Sequence, residues 1–360
     1  MISLSIASHP WPGVIRRYAE FLNVTAETPV VTLLEGNTPL IPAKNFTAAI
    51  GGKFSLYLKY EGLNPTCSFK DRGMTLAMTV AKQRGAKVVV CASTGNTSAS
   101  AAAYAAQAGL RCVVLLPQGK IAAGKMAQAL LYGALTVSIE GNFDDALRIV
   151  RELGETGLVE VVNSVNPARI EGQKTAAFEI CDALGDAPDY HFLPVGNAGN
   201  ITAYWKGFKE YHAADKADTL PKMMGWQAEG AAPLVLGHPV SHPETVATAI
   251  RIGNPASWQA AIDAARDSGG LIRSVTDEEI LYAYKLLART EGIMVEPASA
   301  APLAGLIKCV ASGEIPSGSL ITATMTGHGL KDPEIAVKVA GFEPLVVSAN
   351  REAVLGVMGL

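Results

Sequence analysis

The stretch KVVVCASTGNTSASAAAYAAQAGLRCVVLLP, residues 87–117, sets the fold class. Lys87 to Ala92 is a short β-branched run, and Arg111 to Leu116 is a second one closed by Pro117. Between them Asn96 to Ala108 is a small-residue helix stopped by Gly109. Ser93 to Ser98 fills the turn from strand to helix with four hydroxyls and one amide. A strand, a polar turn, a helix and a second strand make a crossover unit, and such units build parallel sheets.

The same rhythm continues outward. Helix is expected over 122–132 and 143–153, and strand over 135–139 and 159–162. The second half repeats the style with strands over 190–195, 223–228 and 320–325 and helices over 201–212, 280–289 and 299–309. Thr276-Asp277-Glu278-Glu279 has the form of a capping box at the start of the 280–289 helix. Towards the N-terminus, Val14 to Leu22 reads as a helix, and 30–34 and 54–60 read as strands. The expected class is α/β, with open, mostly parallel sheets flanked by helices.

The totals exclude several functions. The chain has 360 residues, enough for two domains, and 49% are apolar. A net charge of −3 gives no field to draw it to nucleic acid or an anionic membrane. No uncharged apolar run approaches the length of a membrane span, and residues 1–12 lack the pattern of a signal peptide. The five cysteines, Cys67, Cys91, Cys112, Cys181 and Cys309, are scattered and form no CxxC pair. That fits reduced thiols in a cytoplasmic protein, and no metal is expected.

The chemistry gathers in five short motifs. Ser68-Phe69-Lys70-Asp71-Arg72-Gly73 sets a lysine where a loop turns into a helix. A helix start and partial burial both lower an amine's pKa, which makes it a nucleophile. A plain surface pair between Lys70 and Asp71 is the bland alternative. Ser93, Thr94, Asn96 and Thr97 form a nest suited to a carboxylate, or merely a generous cap. Gly196-Asn197-Ala198-Gly199-Asn200 precedes a helix and suits a phosphate, although it is neither GxGxxG nor a Walker A loop. Asn163, Ser164 and Arg169 follow another strand; an arginine fork grips phosphate, unless it simply pairs with Glu171. Thr326-Gly327-His328-Gly329 ends the last strand, with a neutral hydroxyl able to meet a heteroaromatic nitrogen. An amine, two anion nests and a neutral hydroxyl match the demands of pyridoxal phosphate.

Taken in order, Ser68 to Gly73, Ser93 to Ser98, Gly196 to Asn200 and Thr326 to Pro333 resemble the threonine synthases among the fold type II pyridoxal-phosphate enzymes. The resemblance runs from about Glu35 to Pro333. It implies two sheet domains, 1–60 with 163–360 and 61–162, and an active site between them. It makes Lys70 the Schiff-base lysine, with Phe69 flanking the ring and Asn96 on the ring hydroxyl. Gly196, Asn197, Ala198, Gly199 and Asn200 become the cofactor phosphate cup, and Thr326 the partner of the ring nitrogen. Ser93, Thr94 and Thr97 would hold the substrate carboxylate and the nearby phosphate, and Asn163, Ser164 and Arg169 would form the pocket for that phosphate. The implied reaction converts O-phospho-L-homoserine and water to L-threonine and phosphate in a cytoplasmic homodimer. A threonine or serine dehydratase is the nearest alternative and would need no second phosphate site.

Overall fold

The computed structural model describes residues 11–118, 123–141, 143–164, 166–341 and 344–359. Ala122 and Val165, both within stretches singled out above, and the opening residues 1–10 lie outside that set.

Among the described residues ten strands form two sheets. The strands β1 (Leu40–Pro42), β2 (Ser55–Tyr60), β7 (Tyr190–Pro194), β8 (Lys222–Ala228), β9 (Leu271–Val275) and β10 (Leu320–Met325) make one sheet, in the order β1-β2-β10-β7-β8-β9. Every pairing in it is parallel except β1 with β2. The strands β3 (Val88–Ala92), β4 (Arg111–Pro117), β5 (Leu135–Ile139) and β6 (Glu160–Val161) make the other, all parallel, in the order β5-β4-β3-β6.

Both sheets are covered on both faces, which is why their strands read as continuous apolar runs. Val89 and Cys91 enter one core and Val90 and Ala92 another, on opposite sides of β3. In the larger sheet Phe192 and Met224 pack with the helices Asp277–Glu291 and Pro297–Ala311. Their neighbours Leu193 and Met223 pack on the other face, against Thr175–Leu184, Gly199–Ala213 and Trp258–Asp267.

Two expectations need correction near the N-terminus. Residues 30–34 join no sheet; Val31 is held instead by the side chains of Thr79, which accepts from its N–H at 3.0 Å, and Thr75, which donates to its carbonyl at 2.5 Å. The expected helix over 14–22 is one turn, Val14–Arg17, followed by a short 3-10 turn, Ala19–Phe21. The capping box at Thr276 is present as read, with Glu279 answering the Thr276 N–H at 2.9 Å.

No helix among the described residues is long and apolar enough to cross a membrane.

Candidate active site

Lys70 opens the helix Lys70–Gln83, which follows β2 of the larger sheet and leads to β3 of the smaller one. The turn before it is stitched to the end of β10. Phe69 N–H donates to Thr326 O at 3.0 Å, and His328 N–H donates to Cys67 O at 3.0 Å. Lys70 and Thr326, 256 positions apart in sequence, are thereby neighbours on one wall.

The helix start is anchored from beneath by buried charge. Arg72 donates through Nε to Glu61 at 2.6 Å and through Nη2 to Glu179 at 2.7 Å. Lys59 on β2 completes the cluster, with Nζ 2.7 Å from Glu179. Asp71 does not pair with Lys70. Its carboxylate accepts from Thr66 N–H at 2.7 Å, Thr66 Oγ1 at 2.6 Å and Ser100 Oγ at 2.6 Å. The bland alternative for Lys70 is thus absent.

Lys70 instead faces a cleft of about 1600 Å³, with its Nζ 4.4 Å from the centre of the Phe69 ring. Burial pushes its amine down to about 7, the nearby Arg169 charge pushes the same way, and Glu296 opposes them. An amine so placed is partly neutral near pH 7 and can act as nucleophile and base.

The cleft wall gathers Phe69, Ser93, Thr94, Asn96, Thr97, Asn163, Ser164, all five residues of Gly196 to Asn200 and Thr326. Two helices aim their starts at it. Asn96–Ala108 has no side-chain cap, and a Cβ added at Gly95 would meet nothing within 4 Å, so the space above that start is open. Gly199–Ala213 also lacks a side-chain cap; Ala198 before it takes a left-handed backbone at φ 65°, and the amide Nδ2 of Asn200 is buried without a partner. Uncapped N–H groups at a helix start suit an anion.

Asn163, Ser164 and Asn197 do more holding than the sequence alone indicates. The Asn163 amide accepts from Ala92 N–H and donates to Ala92 O, both at 3.0 Å, extending the edge of β3. Asn197 donates to Ser164 Oγ and accepts from Ala256 N–H at 2.7 Å. These side chains join the two anion loops to each other, leaving the Asn200 amide among the free donors of the Gly196 to Asn200 loop.

Arg169 is fully buried and does not line the cleft. Its Nη1 donates to Val162 O at 2.9 Å, while Nε and Nη2 have no partner. Glu171 does not answer it, being paired with Lys174 and Lys206. Burial lowers its pKa to about 10, although Cys91 and Asp71 act the other way. Two guanidinium nitrogens without partners, three N–H groups in all, form an unmet demand for an anion beside Lys70.

His328 is structural. Its Nδ1 accepts from Leu330 N–H at 3.1 Å, capping a short turn, and its ring stacks on Tyr60. Cys67 lines the cleft, but burial raises its thiol pKa and so disfavours the thiolate.

Glu296 is a site residue the sequence reading missed. It precedes Pro297 at the start of Pro297–Ala311 and lies against the cleft. Oε1 accepts from Thr326 Oγ1 at 3.0 Å and Oε2 from Asn96 Nδ2 at 2.9 Å. One carboxyl group thus ties the end of β10 to the helix start after β3. Glu-Pro after an apolar run was the available signal, and it reads as an ordinary helix start.

An amine, a loop of free backbone donors at a helix start and a hydroxyl at a strand end converge on one cleft. That donor set fits an aldehyde, a phosphate and a pyridine nitrogen. Comparisons with known proteins agree. Residues 31–327 match the family model "Pyridoxal-phosphate dependent enzyme". The chain is 59% identical to a threonine synthase of Halalkalibacterium halodurans, across 96% of this chain and 97% of that one. It is 61% identical to a threonine synthase of Mycobacterium tuberculosis, across 92% of each. With the threonine synthase of Methanocaldococcus jannaschii the identity is 53%, across 93% of this chain and 84% of the relative. Among solved structures, threonine deaminase isoform 2 of Solanum lycopersicum superposes with a TM-score of 0.74 at 22% identity, across 91% of this chain and 88% of that one, a likeness of fold. The chain belongs to the pyridoxal-phosphate dependent enzymes and, within them, to the threonine synthases.

Proposed function

We propose that the enzyme converts O-phospho-L-homoserine and water to L-threonine and phosphate, with Lys70 as its catalytic amine. The observation that carries this reading is that two helix starts without side-chain caps, those of Asn96–Ala108 and Gly199–Ala213, face the one cleft that holds Lys70. A second anion site, separate from the cofactor's phosphate cup, is what a phosphorylated amino acid requires.

Pyridoxal phosphate supplies a carbonyl for the substrate amine and a ring that takes up the electron pair left at carbon. Lys70 is read as its covalent anchor, with the Gly196, Asn197, Ala198, Gly199 and Asn200 loop as its phosphate cup. Phe69, Asn96 and Thr326 are read as the residues around its ring. The protein's own residues then do four things. Ser93, Thr94 and Thr97 hold the substrate carboxylate over the uncapped start of Asn96–Ala108. Arg169 holds the substrate phosphate, and Ser164 and Asn163 keep that loop in place. Lys70 Nζ takes the proton from Cα and later returns protons to the carbon skeleton. The cleft admits the water that adds at Cβ after phosphate has left Cγ.

The domain division 1–60 with 163–360 and 61–162 is part of the same reading, as are a homodimer and a cytoplasmic setting. The division is supported by the two separate sheets. The setting is supported by five free cysteines. Light scattering on the purified protein tests the dimer.

The decisive assay offers the enzyme O-phospho-L-homoserine, L-threonine and L-serine in parallel. Release of phosphate with formation of threonine is expected from the first. Release of a keto acid from threonine or serine, with phosphohomoserine untouched, would make the enzyme a dehydratase.

A further inference from the structure

Thr326 is more constrained than a single hydroxyl at a strand end. Its Oγ1 lies 2.9 Å from Ser299 Oγ and 3.0 Å from Glu296 Oε1. Ser299 Oγ already accepts from Gly327 N–H at 3.2 Å, so its own hydrogen is free to be donated to Thr326. Glu296 Oε2 is taken by Asn96. A hydroxyl has one hydrogen and two lone pairs. Ser299 uses one lone pair of Thr326. One hydrogen and one lone pair remain, for Glu296 and for whatever stands on the cleft side.

We propose that Glu296 is a positioning residue that shares one proton with the cofactor's ring nitrogen through the Thr326 hydroxyl. The proposal rests on the reading that Thr326 faces that nitrogen. Two arrangements satisfy every donor and acceptor. In one the carboxylate is ionised; a ring N–H donates to Thr326, and Thr326 donates to Oε1. In the other the proton rests on Oε1, which donates to Thr326, and Thr326 donates to a bare ring nitrogen. The arrangements differ by one proton leaving the nitrogen for Thr326 Oγ1 while the Thr326 hydrogen passes to Glu296. No hydrogen is gained or lost.

The surroundings keep both arrangements within reach. Burial raises the pKa of Glu296, while Asn96, Thr326, Lys331 and Lys70 oppose that shift. Lys331 is itself held by Thr66 O at 3.2 Å and by Gln128 Oε1. Gly327 packs against one side of it: a Cβ there would lie 2.5 Å from the carboxyl group. Toward the ring nitrogen the carboxyl acts through Thr326.

The test uses the holoenzyme loaded with pyridoxal phosphate labelled with nitrogen-15 in the ring. Its nitrogen resonance reports whether the ring carries a proton, whatever the activity. In the wild type the resonance should lie between the bare-nitrogen and protonated-nitrogen positions, as the average of the two arrangements. In Glu296→Gln, whose amide can donate to Thr326 but cannot take its proton, it should move to the bare-nitrogen position. Ser299→Ala frees one lone pair of Thr326 but keeps Glu296, so the resonance should stay between the two. The same resonance in wild type and Glu296→Gln would overturn the proposal. An unchanged resonance in Thr326→Val would instead overturn the assignment of Thr326 to the ring. If Glu296→Gln fails to hold the cofactor, Glu296→Asp provides the comparison: its shorter side chain draws the carboxyl away from the 3.0 Å contact with Thr326, so its resonance should leave the wild-type position, and an unmoved resonance would overturn the proposal.

Discussion

Gly73 lies directly against Arg169: a Cβ at position 73 would fall 2.6 Å from the guanidinium Nε and 2.7 Å from the Arg169 carbonyl oxygen. Gly172 makes the reciprocal approach, with its added Cβ 2.0 Å from Arg72 O. The helices Lys70–Gln83 and Pro167–Gln173 thus touch backbone to backbone, and the contact sets Arg169 beside Lys70. Gly172→Ala should push the two helices apart. Overpacking of this kind costs about 1–3 kcal/mol. Thermal unfolding should fall accordingly, and KM for phosphohomoserine should rise because Arg169 moves with its helix.

Arg169→Ala separates the two phosphate sites. A lost charge-assisted bond to phosphate costs about 1.5–3 kcal/mol, or roughly tenfold to a hundredfold in affinity. Phosphohomoserine should weaken by that factor in phosphate-release assays. The visible absorbance of the bound cofactor should persist, because its phosphate uses the Gly196 to Asn200 loop. Loss of that absorbance would mean the two pockets are assigned the wrong way round.

Arg72 predicts a stability effect with a defined pH window. Glu179 is held down to about 2: burial raises its pKa, but the charges of Arg72 and Lys59 outweigh that. Its contribution is therefore fully present above its ordinary value of 4.5 and disappears as pH falls through about 2. Arg72→Leu leaves Glu61 buried and removes a main partner of Glu179, a change worth about 3–5 kcal/mol. Denaturant unfolding of wild type and variant at pH 7 and pH 3 measures it. The gap between them should be smaller at pH 3.

Lys70 sets the pH dependence of cofactor loading. Only its neutral form attacks an aldehyde, and its pKa lies near 7 instead of 10.5. The rate at which cofactor-free enzyme recovers its absorbance with added pyridoxal phosphate should rise between pH 6 and 8 and then level off. A rate still climbing towards pH 10 would show an ordinary lysine.

Much of this site was legible because its parts are local. Lys70 at a loop-to-helix junction, and loops at Ser93 and Gly196 between strand and helix, can each be read from a dozen neighbouring residues. β9 and β1 were not legible: Leu271–Val275 carries an arginine and a serine, and Leu40–Pro42 has three residues and a proline. Both are edge strands of the larger sheet, where burial is one-sided and the apolar signal weak. The charge cluster was hidden for a different reason. Nothing local marks Arg72 as buried, since Glu179 is 107 positions away. Glu296 likewise acquires its role from Asn96, 200 positions earlier, and Thr326, 30 later. Long-range polar pairing leaves no periodicity in the chain.

The measurement that bears most directly on the central claim is turnover of O-phospho-L-homoserine in water labelled with oxygen-18. If phosphate leaves by breaking the Cγ–O bond and water adds at Cβ, the label should appear in the threonine hydroxyl. Phosphate should keep its four original oxygens, and the two products should form in equal amounts. Lys70→Ala should make neither. Label in the phosphate, with homoserine as the other product, would show simple phosphate-ester hydrolysis and contradict the account.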